Sequence, residues 1–591
     1  MHCQLEYLAG CLPGRIRRAL DELPSTLDAT YERTLEEIKE TNWEFARRLF
    51  LSVAVVSRPL RVEELAELLA FDFEAGQIPQ FHEDWRLEDP IEAVLSTCST
   101  LLSVVNVQDS QVIQFSHFSV KEFLTSARFA KKGNSISSRY HVSMTPAHTL
   151  VAQACLGILL HLDKDVTRDT LLGFPLTKYA AEHWFEHARF EGVSRNAEEG
   201  MLQMFDRRKP HLAVWIWISD PTIPFWGLSQ FAGAPLTPVG TPLYYASFCG
   251  LYDVANILAA GCAQDVNSPD FFGGKSPLYV TSRVGHIDLA RLLIEHGADA
   301  TAQSKDGSTA LHEASFGGHV DLARLLIKHG ADAAAQSEDK TTPLHRASFK
   351  GHVDLARLLI DHGADVAAQT VNGMSPLHLT SLGGHMDLAR LLIDHGANVT
   401  AQSKDGITPL HRASMGCFVD LARLLIEHGA DAAARDVHGT APLHEAAFGR
   451  HIGLARLLLE HGADTAAQNM EGSTPLHGAS FRGDVDMARL LIKHGADVAA
   501  RCKDGSTPLH RASFGGHVGV ARLLIEHGAD AAALNEDGMT PLQEASERGH
   551  MDLVRLLIEH GGDAVQGEGR SGPGPVLIEY TVAPMPTNFT T

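Results

Sequence analysis

Hydrophobic and polar positions repeat every 33 residues over the C-terminal part of the chain, from about residue 241 to residue 562. Within one unit, Leu344 marks the apolar face of a short first helix, and Leu355, Leu358 and Leu359 follow at the i, i+3, i+4 spacing of a second helix. Neither helix can bury its apolar face alone. The pattern therefore predicts stacked helix pairs that share one core.

Each unit begins with Thr-Pro-Leu or a close relative of that triplet. The ten starting residues are Thr241, Ser276, Thr309, Thr342, Ser375, Thr408, Ala441, Thr474, Thr507 and Thr540. Proline suits the first turn of a helix, and the glycines that follow suit turns with positive φ. Three units depart from this glycine pattern, because Lys340, Cys417 and Arg450 stand at turn positions.

The motifs T-P-L-H-x-A, G-H and L-L-I-x-H-G-A-D stand in most units. These motifs resemble the ankyrin repeat, and the resemblance covers more than half of the chain. It implies a mainly α fold, in which an ankyrin-repeat solenoid of about ten repeats occupies residues 236–563. The histidines of these motifs are expected to hydrogen-bond neighbouring loops, so we expect no metal site.

In ankyrin arrays, the exposed end of the first helix and the loop fingertips contact partners. The helix-end positions here are Phe248, Phe316, Phe349, Leu382, Met415, Phe448, Phe481 and Phe514. The fingertip positions are Asp306, Asp339, Asn372, Asp405, His438, Glu471, Asp504 and Asp537. An apolar ladder beside an acidic rim predicts a protein partner that is apolar with basic flanks. The alternative is that the rings only pack against the next repeat.

Residues 1–240 carry no repeat and predict helices with one β insert. Helical periodicity is found at Leu27–Ile38, Trp43–Val56, Val62–Leu69, Ile91–Leu102 and Phe118–Ser126. We expect an acidic loop at Phe71–Pro90 and a β-hairpin around Gln108–Ser110. Helices followed by a β wing predict a winged-helix domain over residues 43–130. An all-helical spacer is expected over residues 131–235.

A second resemblance involves FSHFSVKEFLTS (Phe115–Ser126), which is similar to the end of the winged-helix domain in NLR-like NACHT proteins. Further segments resemble fungal NACHT–ankyrin proteins of the STAND type; these are Leu23–Leu35, Ser57–Asp72, Tyr179–Gly192 and Pro210–Pro221. The resemblance implies that residues 1–42 are a helical remnant of a NACHT module. It makes His117 a nucleotide-sensing candidate, with a helix-capping or core histidine as the alternative. The chain has no G-x-x-x-x-G-K-[ST] motif, so we expect the ATPase module to be absent.

Charge and composition limit the classes of molecule that we expect this chain to bind. A net charge of −22 argues against nucleic acid, because phosphate binding needs a basic surface. The eight cysteines form no C-x-x-C pair, which is typical of reduced thiols in the cytoplasm and leaves the nucleus open. The apolar run Leu150–Leu162 is too short to span a bilayer, so no membrane contact is expected. The tail, residues 564–591, is expected to be disordered.

These features predict a non-catalytic scaffold for protein–protein interaction, with no cofactor and no enzymatic activity. The array recognises a protein partner, and the winged-helix region is regulatory, as in NLR-like signalling proteins. One alternative is a regulator that pairs in trans with a full-length NACHT protein through residues 1–130. Another is a truncated gene model of a STAND NTPase.

Overall fold

The computed structural model describes residues 26–222, apart from residues 75, 77, 87, 99 and 109, and residues 238–561. The helical remnant predicted for residues 1–42 is described from residue 26 onwards. The tail predicted from residue 564 lies outside the described residues.

The chain divides into two compact units. The first unit runs to Ala347 and also includes Asp354–Ala364. The second unit includes Ser348–Val353 and the chain from Asp365 onwards. The boundary therefore falls within the fourth repeat.

The first part of the first unit is a winged helix. Its helices are α1 (Leu27–Glu36), α2 (Trp43–Val55), α3 (Val62–Leu68), α4 (Pro90–Cys98), α5 (Phe118–Thr125), α6 (Ala127–Lys131) and α7 (Ser135–Tyr140). Its strands are β1 (Leu60–Arg61), β2 (Phe71–Asp72), β3 (Gln80–Phe81), β4 (Leu102–Val107) and β5 (Ser110–Phe115). The antiparallel sheet has the order β1-β5-β4; β1 lies between α2 and α3 in the chain, and β4 and β5 follow α4. This arrangement confirms the predicted winged-helix fold.

The wing is the β4–β5 hairpin that the sequence predicted. Val107 pairs with Ser110, and the turn starts at Gln108, which has a φ of 53°. The sheet packs on α2 through aromatic residues, because the ring of Phe50 lies 6.4 Å from that of Phe115. Phe50 is completely buried, so the strands and α2 share one core.

The prediction of a plain acidic loop at residues 71–90 was wrong. β2 and β3 pair there, with Phe71 opposite Phe81, and a 3₁₀ turn spans Glu83–Trp85. Phe71 is completely buried, and its ring lies 5.1 Å from that of Phe81. The acidic composition concealed this apolar pair, which ties the segment to the core. The predicted helix at 91–102 is also shorter, since Leu102 begins β4.

The spacer that follows is helical, as predicted. Its helices are α8 (Met144–His161), α9 (Arg168–Leu172), α10 (Leu176–Ala188), α11 (Ser194–Met204) and α12 (His211–Ile218). Trp184 of α10 and Trp215 of α12 are fully buried, with their rings 5.2 Å apart. The spacer contacts the winged helix directly, because the Ser57 N–H donates to the Tyr179 hydroxyl of α10 at 3.2 Å.

The repeat region contains ten helix pairs among the described residues. The first helices are Pro242–Cys249, Pro277–Val284, Ala310–Gly317, Pro343–Lys350, Pro376–Gly383, Pro409–Met415, Pro442–Phe448, Pro475–Arg482, Pro508–Phe514 and Pro541–Glu547. The second helices are Tyr252–Gly261, Ile287–Glu295, Val320–Lys328, Val353–Asp361, Met386–Asp394, Val419–Glu427, Ile452–Glu460, Val485–Lys493, Val518–Glu526 and Met551–Glu559. A 3₁₀ turn, Ala263–Asn267, follows the first pair. The mainly α fold class is thus confirmed.

The histidine of each T-P-L-H motif links two repeats. His312 is fully buried, and its Nδ1 accepts a hydrogen bond from the Thr309 N–H at 3.1 Å. Its Nε2–H donates to the carbonyl oxygen of Thr341 in the next repeat, at 3.0 Å. The same ring therefore caps its own helix and fixes the following turn, which is the structural use that the sequence predicted.

The three departures from the glycine pattern keep the backbone conformation of glycine. Lys340, Cys417 and Arg450 have φ values of 59°, 61° and 65°. Gly307, which occupies the position of Lys340 in the preceding repeat, has a φ of 75°. The fold therefore imposes a left-handed turn on these residues whether or not the sequence supplies glycine.

Candidate functional site

The predicted helix-end ladder is exposed over a row of consecutive repeats in the second unit. Phe349, Leu382, Met415, Phe448 and Phe481 each expose between 37% and 49% of their surface. The remaining ladder residues, Phe248, Phe316 and Phe514, are half-buried. Five of the eight predicted helix-end positions are therefore exposed, all of them in the second unit.

The aromatic ladder residues in the second unit also contact each other. The rings of Phe448 and Phe481 are nearly parallel, with centroids 6.3 Å apart, and those of Phe481 and Phe514 are 5.9 Å apart. The guanidinium of Arg548 covers Phe514 at 3.4 Å from the ring centroid. Packing between repeats thus accounts for part of the ladder, while Phe448 and Phe481 each keep more than one third of their surface exposed.

The backbone of the ladder is held by the histidine of the following G-H motif. His517 Nε2 lies 2.9 Å from the carbonyl oxygen of Phe481, and His385 Nε2 lies 3.3 Å from that of Phe349. These two bonds hold the ends of the first helices that carry Phe349 and Phe481 against the next repeat, whereas Phe418 and Asp484 stand at the equivalent histidine position after Leu382 and Phe448. The ladder side chains therefore project from a rigid element, which favours binding without loss of backbone freedom.

The fingertips are joined to one another by backbone hydrogen bonds. In the second unit the Lys404 N–H donates to the carbonyl of Asn372 at 2.9 Å, and the Lys503 N–H donates to that of Glu471 at 2.8 Å. In the first unit the Glu338 N–H donates to the carbonyl of Asp306 at 2.8 Å. Asp405, His438 and Asp504 accept the same kind of bond from Val437, Met470 and Glu536.

The fingertip carboxylates fall into two groups. Asp306, Asp339 and Asp504 accept hydrogen bonds from their own turns; Asp504, for example, accepts from the Ser506 N–H at 2.9 Å. In two other repeats the side chain of Asn469 or Asn535 accepts the hydrogen bond from the turn. The carboxylates of Glu471 and Asp537 therefore take no part in capping. Asp405, Glu471 and Asp537 are exposed and have no side-chain partner among the described residues. All six carboxylates are exposed, but only those of this second group have no hydrogen bond within the described part of the chain to compete with a partner.

Comparison with known proteins agrees with this geometry. Six overlapping segments between residues 278 and 568 match a family model described as ankyrin repeats in three copies. Residues 31–135 match one described as the winged helix domain of GPI inositol-deacylase. The chain therefore contains ankyrin repeats and a winged helix domain of this type.

A curated relative is similar to about half of the chain. It is the azaphilone pigments biosynthesis cluster protein L of Monascus ruber, which is 31% identical over 303 residues. The match covers 47% of this chain and 61% of the relative. The relative is named for a gene cluster, and its name states no reaction.

His117 caps a helix of the winged helix domain. It is exposed at the start of α5, and its Nδ1 lies 2.7 Å from the Ser119 hydroxyl and accepts from the Ser119 N–H at 3.3 Å. That hydroxyl is in turn 2.7 Å from the phenol oxygen of Tyr31 in α1. His117 therefore caps α5, as the alternative interpretation expected, and its role in nucleotide sensing stays a prediction.

Other charged and metal-binding types of residue form no site of their own. Among the described residues, no group of three or more histidine, cysteine or acidic side chains could hold a metal ion. Two arginines of the second helices pair with an acidic residue one turn earlier, Arg489 with Asp486 at 3.0 Å and Arg555 with Asp552 at 3.8 Å. Within the described part of the chain, no helix combines the length and apolarity needed to cross a bilayer.

The first unit contains a large apolar cavity of about 910 Å³. Leu171, Phe174 and Trp217 line it, together with Asp220 and Pro238. Asp220 and Pro238 lie near the two ends of the segment 223–237, which is outside the described residues. The cavity therefore does not by itself define a ligand site.

The sequence-based set of site residues omits one position that faces the ladder, the residue after the T-P-L-H histidine. In the second unit Glu445, Gly478 and Arg511 occupy this position and line a cavity together with Phe448 and Phe481. The available signal was variability, since this residue changes in size and charge between otherwise similar repeats.

Proposed function

We propose that this protein is a non-catalytic scaffold for protein recognition, and that its ankyrin repeats bind a protein partner through the ladder of the second unit. The observation that carries the proposal is the row of five large apolar side chains, Phe349 to Phe481, that are each more than one third exposed. Contiguous apolar surface of this kind marks interaction sites in proteins. Held by the repeat backbone, these side chains form a preorganised surface.

The charge beside the ladder supports a particular kind of partner. Asp405, Glu471 and Asp537 are exposed, and the whole chain carries a net charge of −22. A partner segment with apolar residues and basic flanks complements both features. Nucleic acid and membrane surfaces are disfavoured as partners by the same charge, and the proposal requires no cofactor.

The experiment compares the wild-type chain with the variant F349A/F448A/F481A in affinity capture from a cell extract. The matched control is Ile558→Ala, which alters a side chain that is 61% exposed but lies outside the ladder. We expect the triple variant to lose its specific partners while its unfolding midpoint stays near that of the wild type. Equal capture by all three proteins, or global unfolding of the triple variant, would contradict the proposal.

For the winged helix domain we propose a regulatory role in signalling of the NLR-like type. The direct contacts between this domain and the spacer, such as that of Ser57 with Tyr179, support such a role because a shift in one can reach the other. We further propose that the protein acts in the cytoplasm; Cys155, Cys249 and Cys502 are buried free thiols, as expected for a reducing compartment.

Regulation in trans of a complete NACHT protein is the alternative, and it is supported by the match to the winged helix domain at residues 31–135. In that case the N-terminal domain would bind, and the ladder would not be needed. A pull-down of a NACHT protein by the full chain should then be unaffected in F349A/F448A/F481A. If the triple variant loses this interaction, the ladder carries the binding instead. A truncated STAND NTPase would be indicated by an in-frame upstream P-loop in the genomic sequence.

A further inference from the structure

One position in the first helix varies between repeats in size and charge far more than the other positions of that helix. It follows the histidine of T-P-L-H or its equivalent. Its occupants are Tyr245, Val280, Glu313, Arg346, Leu379, Arg412, Glu445, Gly478, Arg511 and Glu544. Nine repeats place a side chain larger than alanine here, and repeat eight has none. Glycine in the interior of a helix is destabilising, so its presence at Gly478 calls for another reason.

The backbone does not require glycine at residue 478. Its φ is not positive, unlike that of the turn glycines. A Cβ atom at this position would come no closer than 3.7 Å to its nearest neighbour, the backbone nitrogen of Phe448. The consequence of the glycine is open space, a cavity of about 370 Å³ on the ladder side of the second unit.

The two walls of this cavity carry opposite charges that differ in how they are compensated. On one side, the Nη2 of Arg511 donates to the Asp504 carboxylate at 2.9 Å. On the other side, Glu445 is half-buried, and its carboxylate has no hydrogen bond or ion pair among the described residues. Burial, and secondarily Asp436, raises the pKa of Glu445, while Arg412 opposes them. Of the two charged groups that line the cavity, it is therefore the Glu445 carboxylate that lacks a close counter-ion.

The outer rim of the cavity is aromatic. Phe448 and Phe481 lie at its edge with nearly parallel rings, and both are more than one third exposed. The guanidinium of Arg482 already lies 5.0 Å from the centroid of Phe448, so this ring accepts a cation on one face. An occupant with an apolar stem and a positive end complements both the rings and Glu445.

We propose that the cavity at Gly478 is a specificity pocket that receives an arginine or lysine side chain from an extended segment of a protein partner. The neighbouring apolar residues of that segment lie on Phe448 and Phe481, and the basic group reaches the carboxylate of Glu445. This inference rests on the proposed function, because it places the pocket on the same ladder.

The test uses the full chain and a displayed library of random 12-residue peptides. We expect wild-type protein to enrich peptides that carry arginine or lysine next to leucine, methionine or an aromatic residue. For peptides made from the selected sequences, the dissociation constant measured by fluorescence anisotropy should rise at least tenfold in Gly478→Arg, which fills the cavity. In Glu445→Gln it should rise about five- to tenfold, since a partly buried charge pair of this kind is lost.

Two controls keep the test decisive. Gly478→Ala adds only a methyl group and should bind nearly as the wild type does. Gly478→Arg is expected to fold, since Arg346, Arg412 and Arg511 occupy this position in other repeats, and its unfolding midpoint is measured alongside.

The outcomes separate this inference from the proposed function. If peptides are enriched without basic residues, or bind Gly478→Arg as tightly as wild type, the pocket is not the specificity site. If those same peptides lose binding in F448A/F481A, the ladder still recognises proteins and only the inference fails. If the library yields no peptide that depends on either the pocket or the ladder, both are contradicted.

Discussion

The Nε2 of His477 lies 3.2 Å from the carbonyl oxygen of Ser506, 29 residues further along the chain and in the next repeat. At the same time the Nδ1 of His477 accepts a hydrogen bond from the Thr474 N–H at 3.2 Å. One ring nitrogen must therefore carry a proton and the other must not. Equivalent rings at His312, His411, His444 and His510 have the same two partners, so the joints between these repeats depend on neutral histidine.

This dependence predicts that acid destabilises the repeats. Burial lowers the pKa of His477 to about 4, so the folded state resists protonation while the unfolded state accepts a proton near the ordinary value of about 6.5. The stabilisation is complete above about pH 6.5 and is lost as the pH falls towards 4. At pH 4.5 we expect His477 alone to lower the free energy of unfolding by about 2–3 kcal/mol. Urea unfolding at pH 7.5 and pH 4.5 measures the loss.

The final repeat supplies the matched control for this effect. Gln543 stands where the other repeats have histidine, and its side-chain oxygen accepts from the Thr540 N–H at 2.9 Å. His477→Gln should therefore keep the helix cap without a titrating group. We expect this variant to lose less stability between pH 7.5 and pH 4.5 than the wild type. Identical pH profiles for the two proteins would show that His477 does not titrate on unfolding.

The fingertip aspartates should differ in their effect on stability. Asp504 accepts hydrogen bonds from the Cys502 thiol, the Ser506 N–H and Arg511, each at 2.9 Å. Burial alone would raise the pKa of Asp504, but these donors outweigh burial and lower the pKa to about 2. Removing the side chain in Asp504→Ala leaves the turn uncapped, and we expect a loss of about 1 kcal/mol.

Asp405 is the comparison for Asp504. It occupies the same position in another repeat and is exposed like Asp504, but its carboxylate has no partner among the described residues. Asp405→Ala should change the free energy of unfolding by less than about 0.5 kcal/mol. Chemical denaturation of the two variants beside the wild type checks the difference; equal losses would mean that the carboxylates act only through long-range charge.

The strained turn at Lys340 offers a stabilising substitution. Its φ of 59° is unfavourable for any residue with a Cβ atom. Lys340→Gly should raise the free energy of unfolding by about 0.5–1 kcal/mol, since the relief of strain exceeds the entropy cost of glycine. The reciprocal variant is Gly307→Ala, where φ is 75° and the new Cβ would lie 3.1 Å from the Glu338 nitrogen. It should be destabilised by about 1–2 kcal/mol, and thermal unfolding should order the three proteins accordingly.

The sequence was sufficient for those features that repeat, and insufficient for those that depend on a neighbour. The 33-residue period predicted ten helix pairs and located Lys340, Cys417 and Arg450 at turn positions, but their left-handed conformation was seen only in the structure. The helix ends of the ladder were also found from spacing. The exposure of each ladder side chain could not be predicted from spacing, because it depends on contacts with other repeats, such as that of Arg548 with Phe514.

The same distinction applies to the acidic residues and the insert. Asp405 and Asp504 occupy one position of the repeat, yet the residues two places before and after decide whether the carboxylate caps its own turn. In the winged helix domain, Phe71 pairs with Phe81 inside a segment whose composition predicted only a loop. Both outcomes depend on side chains that meet in space.

The carboxylate of Glu64 is the buried charge on which the start of α3 depends. It is completely buried and accepts both Nη groups of Arg58 at 2.8 Å, and the N–H and Nε of Arg61 at 2.8 and 3.0 Å. Burial acts to raise the pKa of Glu64, but these donors outweigh it and hold the pKa below its ordinary value of 4.5. The stabilisation is therefore present above about pH 4.5 and is lost at lower pH.

Glu64→Ala should lower the free energy of unfolding of the first unit by about 1–3 kcal/mol, because it removes the shared acceptor of two partly exposed arginines and of the Arg61 N–H. The exposed neighbour Glu63 is the control, and Glu63→Ala should change it by less than about 0.5 kcal/mol. Amide hydrogen exchange localises the effect, with faster exchange expected in α3 and at Arg61 and no change in the repeats of the second unit. If both variants exchange alike, the buried carboxylate does not hold this helix in place.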